Sequence, residues 1–348
     1  MRIGVVPGDG TGPEVVVEAL KVLETAGRLF DLTLEFEQFD IGGEQYLRTG
    51  EVLPDAVFDS LAKVDAIMFG AVGHPDVAPG ILERGIILKL RRGLDQYINL
   101  RPVKLYPGVA GPLADKDHND IDFVVVRENT EGLYVGAGGF THRGTSHEVA
   151  TEESVNTRFG VERTIRFAFE LATTRQRKHL TFCGKTNVLV HSHDLWMRVF
   201  EEVGAEYGNI DQAYANVDAV CAWMVQSPER FDVIVTDNMF GDIVTDLGAA
   251  LQGGLGIAAG ANLNPDGVSM FEPIGGTAPD VAGAGKINPL AAIGAAGMLL
   301  TYSGAPEAGT AIESAVATVA GSLPALGAGE MGMTTSQVGD RVAELVAR

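Results

Sequence analysis

The densest chemical signal in the sequence is Asp237-Asn238-Met239-Phe240-Gly241-Asp242-Ile243-Val244-Thr245-Asp246, directly after the apolar run Phe231–Thr236. On a helix starting at the strand's C-terminal end, Asp242 and Asp246 stand at i and i+4 on one face. Two carboxylates stacked this way repel each other by a few tenths of a kcal/mol unless a cation lies between them. Hard oxygen donors without a nearby Cys or His favour Mg2+ or Mn2+ over zinc. The same pattern also fits a solvated acidic face capped by Asp237 or Asn238.

A second set is cationic. Arg91, Arg101 and Arg127 each close a helix or strand pattern. A guanidinium fork binds a carboxylate through two parallel hydrogen bonds, so three forks near a metal suit a dicarboxylate. The third set can move protons: Tyr134, shortly after Arg127, and Lys185 in Gly184-Lys185-Thr186-Asn187. A lysine crowded by other cations can serve as a base. His191-Ser192-His193-Asp194 has the residue types of a metal site but precedes a helix pattern, where Ser192 or Asp194 would act as N-cap. Gly253-Gly254-Leu255-Gly256 reads as tight turns, because no Lys-Ser or Lys-Thr follows as in a phosphate loop.

Strand-like runs alternate with helical patterns along the chain, which places it in the α/β class with parallel strands and crossover helices. The strand runs are 3–6, 32–36, 66–69, 100–105, 123–126, 180–182, 212–217 and 233–236. Helical patterns cover 13–30, 82–96, 155–173, 195–207, 238–253, 291–302, 309–320 and 335–347. The segment Tyr134–Thr151 lacks helical periodicity and reads as a loop or protruding hairpin. Gly8-Asp9-Gly10-Thr11-Gly12-Pro13-Glu14 joins the first strand to the first helix, yet its spacing is GxGxG and an acidic side chain lies inside the loop. A Rossmann dinucleotide site is therefore not supported.

The 348 residues suffice for two domains. Their 46% hydrophobic content argues for a packed chain over a disordered one. A net charge of −20 repels nucleic acid. Cys183 and Cys221 lie outside any zinc or CxxC spacing and read as buried thiols in a reducing cytosol. The N-terminus enters a strand-like run without an export pattern, and 291–300 is too short to cross a bilayer, so a cytoplasmic protein is expected.

Taken together, these motifs resemble the β-decarboxylating isocitrate/isopropylmalate dehydrogenase family. The resemblance spans the chain in family order: Gly8–Glu14, Arg91 ten residues before Arg101, Arg127–Tyr134, Lys185–Asn187, Asp218, Asn238–Asp246 and Glu272–Asp280. It implies an isopropylmalate dehydrogenase-like two-domain fold with a discontinuous first, cofactor domain (1–99 plus 251–348) around a ten-stranded sheet. The second domain (100–250) would hold dimerisation, metal and substrate residues and an arm-like hairpin at about 134–151, exchanged within a homodimer. By the same resemblance Arg91, Arg101 and Arg127 grip the malate carboxylates. Asp242 and Asp246 hold Mg2+ or Mn2+ with Asp218, which also meets substrate, supplied by the other subunit. Lys185, from that subunit too, pairs with Tyr134 for proton transfer.

Asn187, Glu272, Gly275, Gly276, Thr277, Ala278, Asp280 and Asn288 would line the cofactor site, with Asp280 on the adenosine ribose favouring NAD over NADP. Where the family usually has His-Gly after Glu-Pro, this chain has Ile274-Gly275-Gly276, so one side chain beside the adenosine is missing. The stretch Arg127-Glu128-Asn129-Thr130-Glu131 looks closer to the isocitrate and homoisocitrate branches. Ile87 and Leu88, four and three residues before Arg91, share its face on a helix and form an apolar wall. Family members that take a further carboxylate have Ser near this turn or Arg at the position similar to Leu88. Arg84, two turns from Arg91, is the cation placed to meet such a charge.

The implied reaction is NAD-linked oxidative decarboxylation, with 3-isopropylmalate favoured over D-malate, tartrate, isocitrate and homoisocitrate. A catalytically inactive regulatory subunit would have lost metal or base residues. A dicarboxylate-binding protein would need the arginines but not the acidic pair and Lys185.

Overall fold

A computed structural model describes residues 1–348. Its strands are β1 Arg2–Gly8, β2 Glu35–Gln38, β3 Ala66–Ala71, β4 Ile98–Lys104, β5 Asp122–Glu128, β6 Gly132–Thr141, β7 Val149–Val155, β8 His179–Gly184, β9 Asp211–Asn216, β10 Val233–Thr236, β11 Ala259–Leu263 and β12 Ser269–Pro273. Its α-helices are α1 Gly12–Leu29, α2 Gly43–Thr49, α3 Asp55–Leu61, α4 Leu88–Gly93, α5 Arg158–Thr174, α6 Ser192–Gly204, α7 Val217–Gln226, α8 Asn238–Leu251, α9 Leu290–Tyr302, α10 Pro306–Ala320 and α11 Thr335–Val346. The α/β class is as the sequence indicates.

The chain forms two compact units, one of Met1–Gln96, Leu100–Ile121 and Ala249–Arg348, the other of Tyr97–Asn99 and Asp122–Gly248. Leu100–Ile121 thus groups with the chain ends. Leu105 N–H bonds Ile121 O, Lys104 N–H bonds Gln252 Oε1, and Lys104 Nζ reaches Glu313.

In the first unit the strand order is β2-β1-β3-β12-β11-β4. β1 runs parallel to β2 and β3, β12 runs parallel to β3, and β11 runs antiparallel to β12. In the second unit β5-β10-β8-β9 are all parallel. The first unit therefore does not hold ten sheet strands by itself, because these four belong to the second. The interior strands read as unbroken apolar runs: every residue of β3 and β10 is buried. That is the signature of strands covered on both faces. α9 is apolar nearly all round, with Leu290, Ala292, Ile293, Ala296, Leu299 and Leu300 fully buried, so it is a central core helix.

The β11–β12 hairpin, α7 and the short helices α2 and α3 have no counterpart in the sequence reading. Over 82–96 the expected single helix begins as a π-turn at Glu83–Ile87 and ends at Gly93. Such wide turns recur at functional sites. Neither Ser192 nor Asp194 caps α6: its N-cap is His191 without a side-chain bond, and Asp194 pairs with Arg198. Cys183 is buried, whereas Cys221 is only half-buried.

The acidic loop after β1 has a structural role. Asp9 is 4% exposed, and its carboxylate accepts from the backbone N–H groups of Gly43 and Gly73. Glu14, at the start of α1, likewise accepts from Gly283 and Gly285. These acids tie distant loops together.

Asp9→Ala leaves two inward N–H groups without their acceptor, and equilibrium urea unfolding should show a loss of about 1–3 kcal/mol. A loss under about 0.5 kcal/mol, typical of an uninvolved surface position, would contradict this role.

Candidate active site

In the second unit the functional side chains gather at the C-terminal ends of parallel strands, where open α/β sheets bind ligands. β5 carries Arg127 next to its last residue, β8 runs into Lys185, and β10 runs into Asp237 and α8. Arg127 is 1% exposed, so its charge needs partners inside the fold. Its Nε and Nη2 donate to Asn238 Oδ1 at 3.0 and 2.8 Å, and its Nη1 donates to Asp242 Oδ1. Tyr134, on β6, donates its phenol proton to Asp242 Oδ2 at 2.7 Å, and its ring lies 5.1 Å from the Arg127 guanidinium. Burial, followed by this bond to Asp242, raises the Tyr134 phenol above its ordinary value. Tyr134 is therefore held as a proton donor.

Local sequence explains how Arg127 reaches α8. A Cβ at Gly241 would stand 2.3 Å from Arg127 Cγ, so the helix admits the arginine only because residue 241 has no side chain. Asp237, not Asn238, caps α8: its Oδ1 accepts from Met239 N–H and Phe240 N–H. Asn238 is spent on Arg127. Asp242 is thereby oriented from both oxygens, while Asp246, one turn on, is exposed.

Lys185 Nζ donates to Asp218 Oδ1 at 2.7 Å, and this bond is the main reason the Asp218 carboxyl lies below its usual range. Asn187, two residues on, is exposed. No group of three or more His, Cys, Asp or Glu within the chain is arranged to hold a metal ion. The donor chemistry of Asp242 and Asp246 still fits Mg2+ or Mn2+ as part of a site, because both are hard carboxylates and Asp242 keeps lone pairs beyond those used by Arg127 and Tyr134.

The stretch after Arg127 is structural. Buried Glu128 accepts from Thr130 N–H, Thr130 Oγ1 and Glu131 N–H, and burial raises its carboxyl despite these bonds. Glu131 accepts from Thr157 N–H and Oγ1. These residues build the base of the β6–β7 hairpin.

In the first unit Arg91 and Arg101, each 8% exposed, line a recess with Phe69, Val72, Ile87, Ile274 and Glu272. Glu272 Oε1 accepts from Arg91 Nη2 at 3.1 Å and from Asn262 Nδ2 at 2.8 Å. Glu272 thus anchors Arg91, a role the sequence reading did not assign. Ile87 stands on the recess wall, but Leu88, about 100° further round the helix, lies outside it. Val72 and Ile274 complete the apolar side and went unnoticed, because each reaches the recess only through the folding of separate strands.

A second recess in this unit is lined by Thr11, Leu255, Gly256, Gly275, Gly276, Ile287, Asn288 and Ala328, among others. Asn288 is buried there and donates to Leu326 O. A Cβ at Gly275 would stand 3.8 Å from Leu255 O, in ordinary contact, so a side chain there meets no steric bar. Thr277 O accepts from Thr11 N–H, whereas Ala278 and Asp280 form the short turn beyond, with Asp280 exposed.

Comparison with known proteins adds an independent finding. Residues 2–342 match the family described as isocitrate/isopropylmalate dehydrogenase. The chain is 50% identical to the 3-isopropylmalate dehydrogenase of Thermobifida fusca, covering 100% of this chain and 98% of that protein. It is 51% identical to that of Streptomyces coelicolor, covering 100% and 99%. Among solved structures, isocitrate dehydrogenase from Methylococcus capsulatus superposes with a TM-score of 0.89 at 35% identity, covering 100% of this chain and 99% of that one.

Gly241→Ala would by helix propensity stabilise α8 by about 1 kcal/mol. The contact with Arg127 reverses the sign, and overpacking should destabilise the protein by about 1–3 kcal/mol. A thermal melt shifted upward would contradict the Arg127 lock.

Proposed function

Because the chain belongs to the isocitrate/isopropylmalate dehydrogenase family and is an enzyme with a small-molecule substrate, we propose that it oxidatively decarboxylates 3-isopropylmalate to 4-methyl-2-oxopentanoate and CO2, a step of leucine biosynthesis. The observation that carries the substrate is the recess of the first unit, where Val72, Ile87 and Ile274 stand beside Arg91 and Arg101. Two guanidinium forks answer carboxylates, and the three aliphatic side chains answer an alkyl substituent. Burying an isopropyl group there gains roughly 1–3 kcal/mol, whereas burying a third carboxylate without a partner costs several. Arg84 is exposed and is not among the recess walls, and Lys89 is paired with Asp55 and Leu53 O.

The family implies a nucleotide cofactor and a divalent metal. We assign these as NAD, in the recess of Gly275, Gly276 and Asn288 with Asp280 toward the ribose hydroxyls, and as Mg2+ or Mn2+ on Asp242 and Asp246. When bound, the cation supplies charge opposite the substrate oxygens and the nicotinamide accepts two electrons with the hydride. Arg91 and Arg101 bind the carboxylates, while Arg127, expected from the resemblance to join them, is spent within the fold on Asn238 and Asp242 and orients the latter. The hydroxyl proton leaves by way of Lys185, whose Nζ is held by Asp218. After the C–C bond to the departing CO2 breaks, its electron pair remains on the substrate carbon, and Tyr134 Oη delivers a proton there. A carboxylate at Asp280 accepts bonds from hydroxyls and repels a 2′-phosphate.

The active species in this reading is a homodimer, in which Asp218 and Lys185 of one chain serve the Asp242, Asp246 and Tyr134 of the other. Support comes from the second unit's surface: Phe140, Val149, Phe159, Val188, Val190 and Ile243 are exposed. All of β7 is exposed, and an isolated two-stranded hairpin is marginal in water. Both cysteines are free, which suits a reducing cytoplasm. No helix is long and apolar enough to cross a membrane, and the charge of −20 opposes a nucleic-acid partner.

A panel of 3-isopropylmalate, isocitrate, homoisocitrate, D-malate and tartrate, each with NAD or NADP and Mg2+, tests the proposal. The highest kcat/KM is expected for 3-isopropylmalate with NAD, and chelator should abolish it. A different malate equalling it would refute the recess reading, equal use of NADP would refute the Asp280 assignment, and full activity in chelator would refute the metal.

A further inference from the structure

The histidines at the start of α6 have no part in the chemistry above, yet their one buried member touches two elements of that chemistry. His193 is 2% exposed. Its Nδ1 accepts the backbone N–H of Lys185 at 2.8 Å, and its Nε2 stands 3.2 Å from Asp237 Oδ2. Asp237 in turn caps α8 through its other oxygen. One imidazole therefore spans from Lys185, which in the proposed dimer relays the hydroxyl proton of the partner's site, to the cap of the helix bearing this chain's own Asp242 and Asp246.

The site is built for this ring. Phe182 and Phe240 flank it with centroids 6.0 and 5.4 Å away, the latter edge-on. A Cβ at Gly184 would come within 2.9 Å of Nδ1, so the approach of Lys185 to the ring depends on a glycine before it. An Nδ1 that accepts a hydrogen bond carries no proton, which leaves the neutral ring with its proton on Nε2, facing the Asp237 carboxylate. The opposite tautomer would set two N–H groups against each other at Lys185.

We infer that His193 is a positioning residue for the proton relay: as the neutral Nε2–H tautomer it fixes the Lys185 backbone against the capped end of α8. The inference rests on the proposed reaction for its kinetic consequence but not for its structural one. Displacing a catalytic group by about 1 Å costs up to about 100-fold in rate. His193→Ala is therefore expected to lower kcat about 10- to 100-fold, in line with losses at residues that orient catalytic groups, while KM for substrate changes little. Asn at 193 can present an oxygen where Nδ1 stood, and Gln can present an N–H where Nε2 stood.

The test combines steady-state kinetics of His193→Ala, His193→Asn and His193→Gln, corrected for folded fraction, with 15N spectra of the imidazole in the unmodified protein. Expected are a kcat loss in the alanine variant, recovery by asparagine greater than by glutamine, and a spectrum with the proton on Nε2. An alanine variant with undiminished kcat would overturn the inference, as would recovery by glutamine alone or a proton on Nδ1. If the unmodified protein fails to turn over 3-isopropylmalate, the proposed reaction is at fault, and the spectrum still decides whether His193 accepts from Lys185. Should the alanine variant not fold, the asparagine variant and the spectrum carry the same decision.

Discussion

The second unit is organised around a guanidinium with almost no access to water. Arg127 can stay charged at 1% exposure only because Asn238 and Asp242 take its N–H groups. Removing either partner would leave a buried charge short of acceptors, a far larger cost than losing a surface ion pair. This requirement sets the first turn of α8 against the end of β5. It demands glycine at 241 and leaves the α8 cap to Asp237. Asp242 is aimed as a consequence, and Tyr134 then completes the geometry by bonding its second oxygen. Asp242 is thus oriented by a cation that belongs to the fold.

The first unit solves a similar problem with other residues. Arg91 and Arg101 are both mostly buried, and Glu272 holds Arg91 while also accepting from Asn262. Beside these charges stand Val72, Ile87 and Ile274. The chemical character of the recess comes from that contrast of buried cations and aliphatic surface.

Much of this was legible in the sequence where the relevant partners are neighbours in the chain. Asp242 and Asp246 are four apart on one helix, and Arg91, Arg101, Arg127 and Lys185 each follow a recognisable helix or strand. The strands themselves were readable from apolar runs such as 66–69 and 233–236, whose burial on both faces requires continuous hydrophobicity. What escaped were contacts between distant segments. Glu272 meets Arg91 across 181 residues, and Gly73 meets Asp9 across 64. Neither pairing leaves a periodic trace. The acid in the first loop looked out of place for a cofactor turn because its partners, the N–H groups of Gly43 and Gly73, were invisible. His193 looked like a metal-type cluster in one dimension, whereas folding uses its ring to receive a backbone N–H from Lys185. The β11–β12 hairpin was hidden in a stretch whose Gly and Ala content masks alternation, and α7 by a strand pattern that runs into its first turn.

On the proposed reading Asp242, oriented by Arg127 and Tyr134, and Asp246 one turn on form a metal site that one chain alone does not complete. Anomalous diffraction from crystals soaked in Mn2+ tests it most directly. The account predicts one manganese peak per chain, bounded by Asp242 and Asp246 of one subunit and Asp218 of a second. A peak coordinated wholly within one chain, or none at Asp242 and Asp246 under saturating Mn2+, would contradict it.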